Sequence, residues 1–176
     1  MDLQDAIRGR RSVRHFHDEP VSAADLERLI EAAVWAPSGG NAQSWRFVVV
    51  EERQRIRRLR MVSPGMPGPP PCIIAVCQDV DLAERLGARL GREKLAMFDS
   101  AMAAQNIMLA AHAAGLGTCV VASFHAGGIK ALLELPTGVE PMLLVAVGRA
   151  AETPAAPTRR QEEVMFHETY SEHRAP

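Results

Sequence analysis

The feature that constrains the fold most is a helix, a glycine-rich loop and a strand in direct succession between residues 22 and 50. Ser22 and Asp25 resemble a capping box, which predicts that a helix begins there. Pro37 predicts that this helix ends before it, because a proline disfavours helical backbone in the preceding residue. Residues 46–50 include three valines and a phenylalanine, which predicts a strand. The intervening segment is therefore a helix-to-strand loop.

Other segments of the chain also show helical or strand patterns. The apolar run at residues 72–77 predicts a buried strand, and the proline- and glycine-rich residues 63–71 predict a loop before it. The remaining predicted helices cover residues 2–8, 52–60, 81–90 and about 129–133, and the remaining predicted strands cover residues 118–122 and 142–147.

The longest predicted helix runs from about Lys94 to Ala114, and Gly115 supplies its C-terminal cap. Mostly alanine and methionine occur around the rest of the helix as well as on its one apolar face, so the helix is expected to be buried nearly all round. In a chain of 176 residues such burial indicates a subunit interface. The residues that helical spacing groups near one face are Phe98, Ala101, Met102, Gln105, Leu109 and His112.

The composition is that of a single globular domain covering residues 1–176, with 47% hydrophobic and 23% charged residues. The formal net charge of -1 gives no global field that attracts nucleic acid or an anionic membrane. No apolar run is long enough to span a membrane. The five arginines between Arg53 and Arg60 have no interleaved aromatic residues, so we interpret them as a solvated helix face.

The cysteines and histidines indicate neither a disulfide framework nor a metal site. Cys72, Cys77 and Cys119 are odd in number, lack C-x-x-C spacing and lie in apolar stretches, where cysteine acts as a small buried hydrophobe. The six histidines show no H-x-x-x-H or H-E-x-x-H spacing. A reducing cytoplasm is the predicted compartment.

Two polar segments are candidates for binding an anionic ligand. Arg10-Arg11-Ser12-Val13-Arg14 offers guanidinium groups and a hydroxyl suited to a phosphate, although an arginine cluster is more often a solvated basic turn. The loop Pro37-Ser38-Gly39-Gly40-Asn41-Ala42-Gln43 combines flexible backbone with short polar side chains. The alternative for this loop is an Asx-type turn that only positions the strand.

Together these segments resemble the FMN-dependent nitroreductase family, which carries an R-x-S-x-[RK] run and a P-S-x-x-N-x-Q-x-W loop. Two further stretches resemble the family's G-L-G-x-C strand entry and its C-terminal tail: Gly115–Phe124 and Pro157–Val164. The resemblance implies an α+β fold with a central, mostly antiparallel mixed sheet flanked by helices. It also implies an intertwined homodimer with two FMN sites at the interface.

The resemblance assigns cofactor contacts residue by residue. Arg10 and Ser12 match the family's phosphate ligands, with Arg11 as a weaker phosphate contact. Arg14 matches the basic residue at the pyrimidine edge of the flavin, where a fixed cation stabilises the negative charge that reduction places near N1 and O2.

The resemblance also assigns the other contacts to FMN. Backbone N–H groups of Ala122 and Ser123 match those that meet flavin N5 and O4. A tail arginine, Arg159 or Arg160, closes over the phosphate. The helix-to-strand loop, often supplied by the partner subunit, meets the ribityl chain and ring through Pro37, Ser38, Asn41 and Gln43. No residue between 60 and 95 matches the family's remaining pyrimidine contacts.

The implied chemistry is hydride transfer from NAD(P)H through flavin N5 to an electron-poor acceptor such as a nitroaromatic or a quinone. NAD(P)H would reduce the flavin and leave, and the acceptor would then enter the same pocket and reoxidise it. No protein acid or base is required, because the cofactor performs the chemistry. Two alternatives stay open. One is an oxidase, dehydrogenase or dehalogenase of the same fold that acts on a specific small molecule. The other is a non-catalytic flavin carrier or interaction module.

Overall fold

The computed structural model describes residues 1–159 and 164–170. A turn of 3-10 helix covers Gly39–Asn41, and one turn of π-helix covers Gly91–Leu95. The helices are α1 (Leu3–Gly9), α2 (Ala23–Val34), α3 (Arg53–Met61), α4 (Val80–Leu90), α5 (Ala96–Ala113) and α6 (Ala126–Leu133). The strands are β1 (Trp45–Val50), β2 (Cys72–Asp79), β3 (Gly117–Val121) and β4 (Val139–Gly148).

The four strands form one sheet in the order β1-β2-β4-β3, and all neighbouring pairs are antiparallel. Among the described residues, the one parallel pairing is an isolated bridge between Ser12 and Thr118. The predicted α+β architecture, with a mostly antiparallel sheet flanked by helices, is therefore confirmed.

Both faces of the sheet are covered, which explains the uninterrupted apolar run of β2. Side chains alternate across a strand, so Ile74 and Val76 join the core beneath α2 and α5. Ile73 and Ala75 point to the other face and join the core formed with α3 and α6. A strand that is buried on both faces has no polar alternation.

The first long helix follows the sequence prediction closely. The Ser22 hydroxyl accepts a hydrogen bond from the Asp25 N–H at 3.1 Å, so the capping interaction is present. The helix ends three residues before Pro37, and its inner face buries Leu26, Leu29 and Ala33.

A single chain buries only one side of α5, which the sequence predicts to be buried nearly all round at a subunit interface. Its buried face consists of Ala96, Asp99, Ser100, Ala103, Ala104, Ile107, Met108 and Ala111. Phe98, Ala101, Met102 and Gln105, which spacing grouped on one face, are exposed in the single chain. One chain therefore covers only part of a helix that is apolar nearly all round.

The three cysteines are unpaired and buried. Burial raises the pKa of the Cys72 and Cys77 thiols to about 12, so neither is a reactive thiolate. Among the described residues, no group of three potential metal ligands converges. None of the helices in this part of the chain has the length and apolarity needed to span a membrane.

Candidate functional site

The arginine–serine run lies along the edge of the sheet formed by β3. The Val13 N–H donates to the Thr118 carbonyl at 2.9 Å, next to the parallel bridge between Ser12 and Thr118. Phe16 forms an antiparallel bridge with Ala150, in the segment that follows β4. The run is therefore fixed between two extended segments rather than free in solvent as a basic turn.

The three arginines of this run have different surroundings. The Arg11 guanidinium donates to the carbonyls of Arg8, Gly9 and Arg10 at 2.6, 2.9 and 3.0 Å, and so caps the C-terminal end of α1. These three bonds use one terminal nitrogen of Arg11, and its weaker phosphate contact stays a prediction.

Arg10 and Arg14 remain available for an anion. Among the described residues, neither guanidinium has a carboxylate within 4.0 Å. Burial raises the pKa of the Cys119 thiol in β3, and the positive charges of Arg14 and Arg10 partly oppose that rise. Both charges therefore act on the same strand, as a shared site for one cofactor requires.

Glu152 fixes the backbone of Arg14. Its carboxylate accepts from the Arg14 N–H at 2.6 Å and from the His15 N–H at 3.1 Å, and it contacts His15 Nδ1 at 2.9 Å. The bond to the His15 side chain, followed by that to the Arg14 N–H, lowers the pKa of Glu152, so its charge is retained. Nothing local in the sequence points to Glu152, because the backbone that it fixes lies 138 positions away.

Ala122 and Ser123 follow β3 directly and are exposed. Residues 63–71 pass beside them: the Gly65 N–H donates to the Ser123 carbonyl at 3.3 Å. A Cβ on Gly68 would lie 3.4 Å from the Arg14 carbonyl oxygen. This loop therefore contacts both the Arg14 and the Ser123 segments, in a region where sequence analysis assigned no site residue.

The helix-to-strand loop is tightly turned. Gly40, Asn41 and Gln43 all have left-handed backbone, with φ of 58°, 56° and 47°. The Ser38 hydroxyl accepts from the Gln43 N–H at 3.1 Å, and the Gln43 amide donates to Asn41 Oδ1 at 3.0 Å. The loop is therefore a tight turn, in which Asn41 accepts from the Gln43 side chain rather than from a backbone N–H as in an Asx turn. The non-glycine left-handed residues mark the strain that functional loops often retain.

A buried carboxylate anchors this loop to α5. Asp99 is 2% exposed, and its two oxygens accept from the Gly39 N–H at 3.1 and 3.3 Å. Burial raises the pKa of Asp99, and the bond from Gly39 partly opposes the rise. The sequence alone does not single out Asp99, because its partner lies 60 positions away.

The pKa shift of Asp99 predicts a pH dependence. A raised folded-state pKa means that this group contributes most to stability at low pH. The contribution falls as pH rises from the ordinary value of 3.8 through the folded value. Asp99→Asn keeps an oxygen for the Gly39 N–H and removes the charge. We therefore expect the stability of this variant not to show that decline with rising pH. Denaturant unfolding of both proteins from about pH 4 to 8 checks this, and parallel stability curves would contradict it.

The two halves of the candidate site lie apart in one chain. The loop leads into β1, and the arginine run borders β3 at the opposite edge of the sheet. Three strand spacings of 4.7–4.9 Å separate β1 from β3, which makes about 14 Å. Gly39 is hydrogen-bonded to Asp99 in the first turn of α5, whereas a Cβ on Gly9 would lie 2.6 Å from His112 Nε2 near the other end of this helix. Arg159 is exposed, and Arg160 lies outside the described residues.

Comparison with known proteins places this arrangement in a family. The family model for the nitroreductase family matches residues 7–67 and 61–149, which include the arginine run, the loop and the end of β3. The chain belongs to the nitroreductase family. The resemblance inferred from the motifs is therefore confirmed.

Individual nitroreductase relatives agree with this membership. Protein DrgA of Synechocystis is 32% identical, over 92% of this chain and 89% of its own length. The FMN reductase [NAD(P)H] of Bacillus subtilis is 28% identical, over 94% of this chain and 73% of its own length. The crystal structure of a nitroreductase family protein from Streptococcus pneumoniae has a TM-score of 0.80 at 25% identity, and the match covers 90% of this chain and 95% of that one.

Proposed function

We propose that this protein transfers a hydride from NAD(P)H, through the N5 position of FMN, to an electron-poor acceptor such as a nitroaromatic or a quinone. The broader assignment, an NAD(P)H-dependent FMN oxidoreductase, follows from membership of the nitroreductase family. It agrees with the names of two relatives, the FMN reductase [NAD(P)H] of Bacillus subtilis and the oxygen-insensitive NADPH nitroreductase of Salmonella typhimurium.

The observation that carries the proposal is a pair of guanidinium groups held against β3 beside a serine, those of Arg10 and Arg14, which have no carboxylate partner within the described part of the chain. Arg10 and Ser12 would hold the cofactor phosphate through charge-assisted hydrogen bonds. Arg14, whose backbone Glu152 fixes, would stabilise negative charge at the pyrimidine edge. The Ala122 and Ser123 segment would present backbone N–H groups to the ring. FMN, when bound, supplies the hydride chemistry, so no side chain is proposed to be catalytic.

We also propose that the active unit is a homodimer, with each FMN site completed by both chains. The loop with Pro37, Ser38, Asn41 and Gln43 lies at the β1 edge, away from the arginine run of its own chain. A second copy that covers the exposed face of α5 would supply that loop to the arginine run of the first. The tail arginine, Arg159 or Arg160, is proposed to approach the phosphate in the same assembly.

The chain is proposed to form one domain, since a single sheet with two covered faces accounts for the described core. The cytoplasmic location inferred from the cysteines stays a prediction.

Anaerobic reduction distinguishes the proposed function from its alternatives. We expect the purified protein to be yellow, and NADH or NADPH to bleach the flavin absorbance within the time of one turnover. A nitroaromatic or a quinone should then restore the colour. A flavin that NAD(P)H leaves oxidised would contradict the proposal and support a carrier. Bleaching by a small organic substrate instead of NAD(P)H would support an oxidase or dehydrogenase.

A further inference from the structure

A cleft outside the candidate flavin site, hereafter the second cleft, lies between α3 and the end of the 63–71 loop and has a volume of about 420 Å³. This volume is within the range of small-molecule sites. The cleft takes its charged and apolar groups from three segments of the chain. Its lining residues are Asp18, Pro20, Glu51, Arg53, Ile56, Arg57, Arg60, Pro69, Pro70 and Pro71.

The arginines of this cleft are incompletely paired. Arg53 lies 3.8 Å from Asp18, and both side chains are largely exposed. Within residues 1–159 and 164–170, Arg57 and Arg60 have no carboxylate within 4.0 Å. The predicted solvated arginine face therefore holds for most of α3. At the cleft, Arg53, Arg57 and Arg60 outnumber the carboxylates of Asp18 and Glu51, which leaves one net positive charge.

Arg60 departs furthest from that prediction. It is only partly exposed, and its Nε atom is buried without a hydrogen-bond acceptor in the described structure. A guanidinium N–H that has lost water and gained no acceptor is unfavourable. A ligand in the cleft would meet the terminal nitrogens of Arg60 rather than Nε, since these nitrogens are not among the buried unpaired atoms of the described residues. The N-terminal N–H groups of α3 do not contribute, because the Glu52 carboxylate already accepts from Gln54 and Arg55.

Apart from the carboxylates of Asp18 and Glu51, the remaining wall of the cleft is apolar. Ile56 is 2% exposed, and Pro69, Pro70 and Pro71 present ring surfaces without backbone N–H donors. Such a wall suits the carbon skeleton of a ligand, whereas the arginines suit its charge. A bare inorganic ion would use only one half of the cleft.

We propose that this cleft binds a small organic phosphate, with Arg57 and Arg60 on the phosphate oxygens and the proline wall on the apolar part. Guanidinium groups match phosphate geometry and remain charged at every physiological pH. The cleft is separate from the proposed flavin site but adjacent to it in sequence. Pro69 follows Gly68, which approaches the carbonyl of Arg14.

Calorimetric titration of the FMN-loaded protein with phenyl phosphate tests the proposal. We expect saturable binding whose Kd rises at least about tenfold in the variant R57Q/R60Q. The matched control R55Q/R58Q removes the same charge from the same helix at exposed positions outside the cleft, and should leave the Kd unchanged. An absence of saturable binding to the unmodified protein, or equal losses in the two variants, would overturn the proposal.

Two further measurements keep this test interpretable. Flavin absorbance before and after titration checks that phenyl phosphate has not displaced FMN. Arg57→Gln alone changes an exposed residue and replaces the double variant in the titration if the double variant does not fold. Weaker binding of phenyl phosphate to this single variant than to Arg58→Gln supports the site, and equal binding overturns it.

Two ligands carry such a phosphate: a free phosphate ester, and the electron donor NADPH with its 2′-phosphate. The second of these rests on the proposed function. Competition with oxidised coenzymes separates these sources without turnover. If NADP⁺ displaces phenyl phosphate and NAD⁺ does not, the coenzyme is the source. If neither displaces it, the source is a free phosphate ester. The phenyl phosphate titration stands even if the protein proves not to reduce any acceptor.

Discussion

Ala101→Arg is expected to dissociate the protein into monomers and to lower its FMN occupancy at the same time. Ala101 lies on the exposed face of α5, beside Phe98 and Met102, which are 55% and 38% exposed in the single chain. An unpaired guanidinium placed inside an apolar interface would be strongly unfavourable. Because the proposed site takes its loop from the partner, loss of the dimer should remove cofactor contacts as well. Sedimentation velocity and flavin absorbance measure the two effects.

The control for this experiment is Ala131→Arg. Ala131 is also an exposed helical alanine, but α6 packs on the opposite face of the sheet. That variant should remain dimeric and yellow. Ala104 and Ala111 are unsuitable positions, since they are 1% and 0% exposed and pack against their own chain. A flavin-saturated Ala101→Arg monomer with normal activity would refute the shared site.

Arg10→Ala is expected to weaken FMN binding about ten- to 150-fold. A hydrogen bond to a charged group contributes about 1.5–3 kcal/mol, and every 1.4 kcal/mol corresponds to a factor of about ten in Kd. Arg10 has no carboxylate partner among the described residues, so its removal should not disturb an internal ion pair.

Fluorescence titration of apo-protein with FMN measures this effect, and Arg55→Ala is the matched control. Arg55 is an exposed arginine of α3 that lines neither the flavin site nor the second cleft. Its loss should leave the Kd for FMN unchanged. Equal affinities in the two variants would exclude Arg10 from the phosphate site, and a loss in both would indicate a general effect of net charge.

Much of the secondary structure could be predicted from the sequence, because its determinants are local. Ser22 and Asp25 are three residues apart, and their hydrogen bond forms as soon as the first turn of α2 forms. The six-residue apolar run at 72–77 identified β2 without reference to its neighbours. The family could also be predicted, since its motifs are short runs of residues rather than contacts across the fold.

Some residues of the candidate site could not be predicted, because their partners are distant in sequence. Asp99 is an ordinary helical residue until the fold brings Gly39 against it, and Glu152 is an ordinary tail residue until it reaches the backbone of Arg14. The second cleft likewise depends on contact between α3 and prolines that follow it in a loop.

The sequence by itself determined where the helices and strands lie, which arginines bring positive charge to the candidate site, and the family. The tertiary structure decided the strand order, the side of α5 that is buried, and the separation of the loop from the arginine run within one chain. The physical reason is clearest in α5. A helix selects its buried face by contrast between apolar and polar sides, and one that is apolar nearly all round offers no such contrast. Only packing against α2 and the sheet determines which of its residues remain exposed.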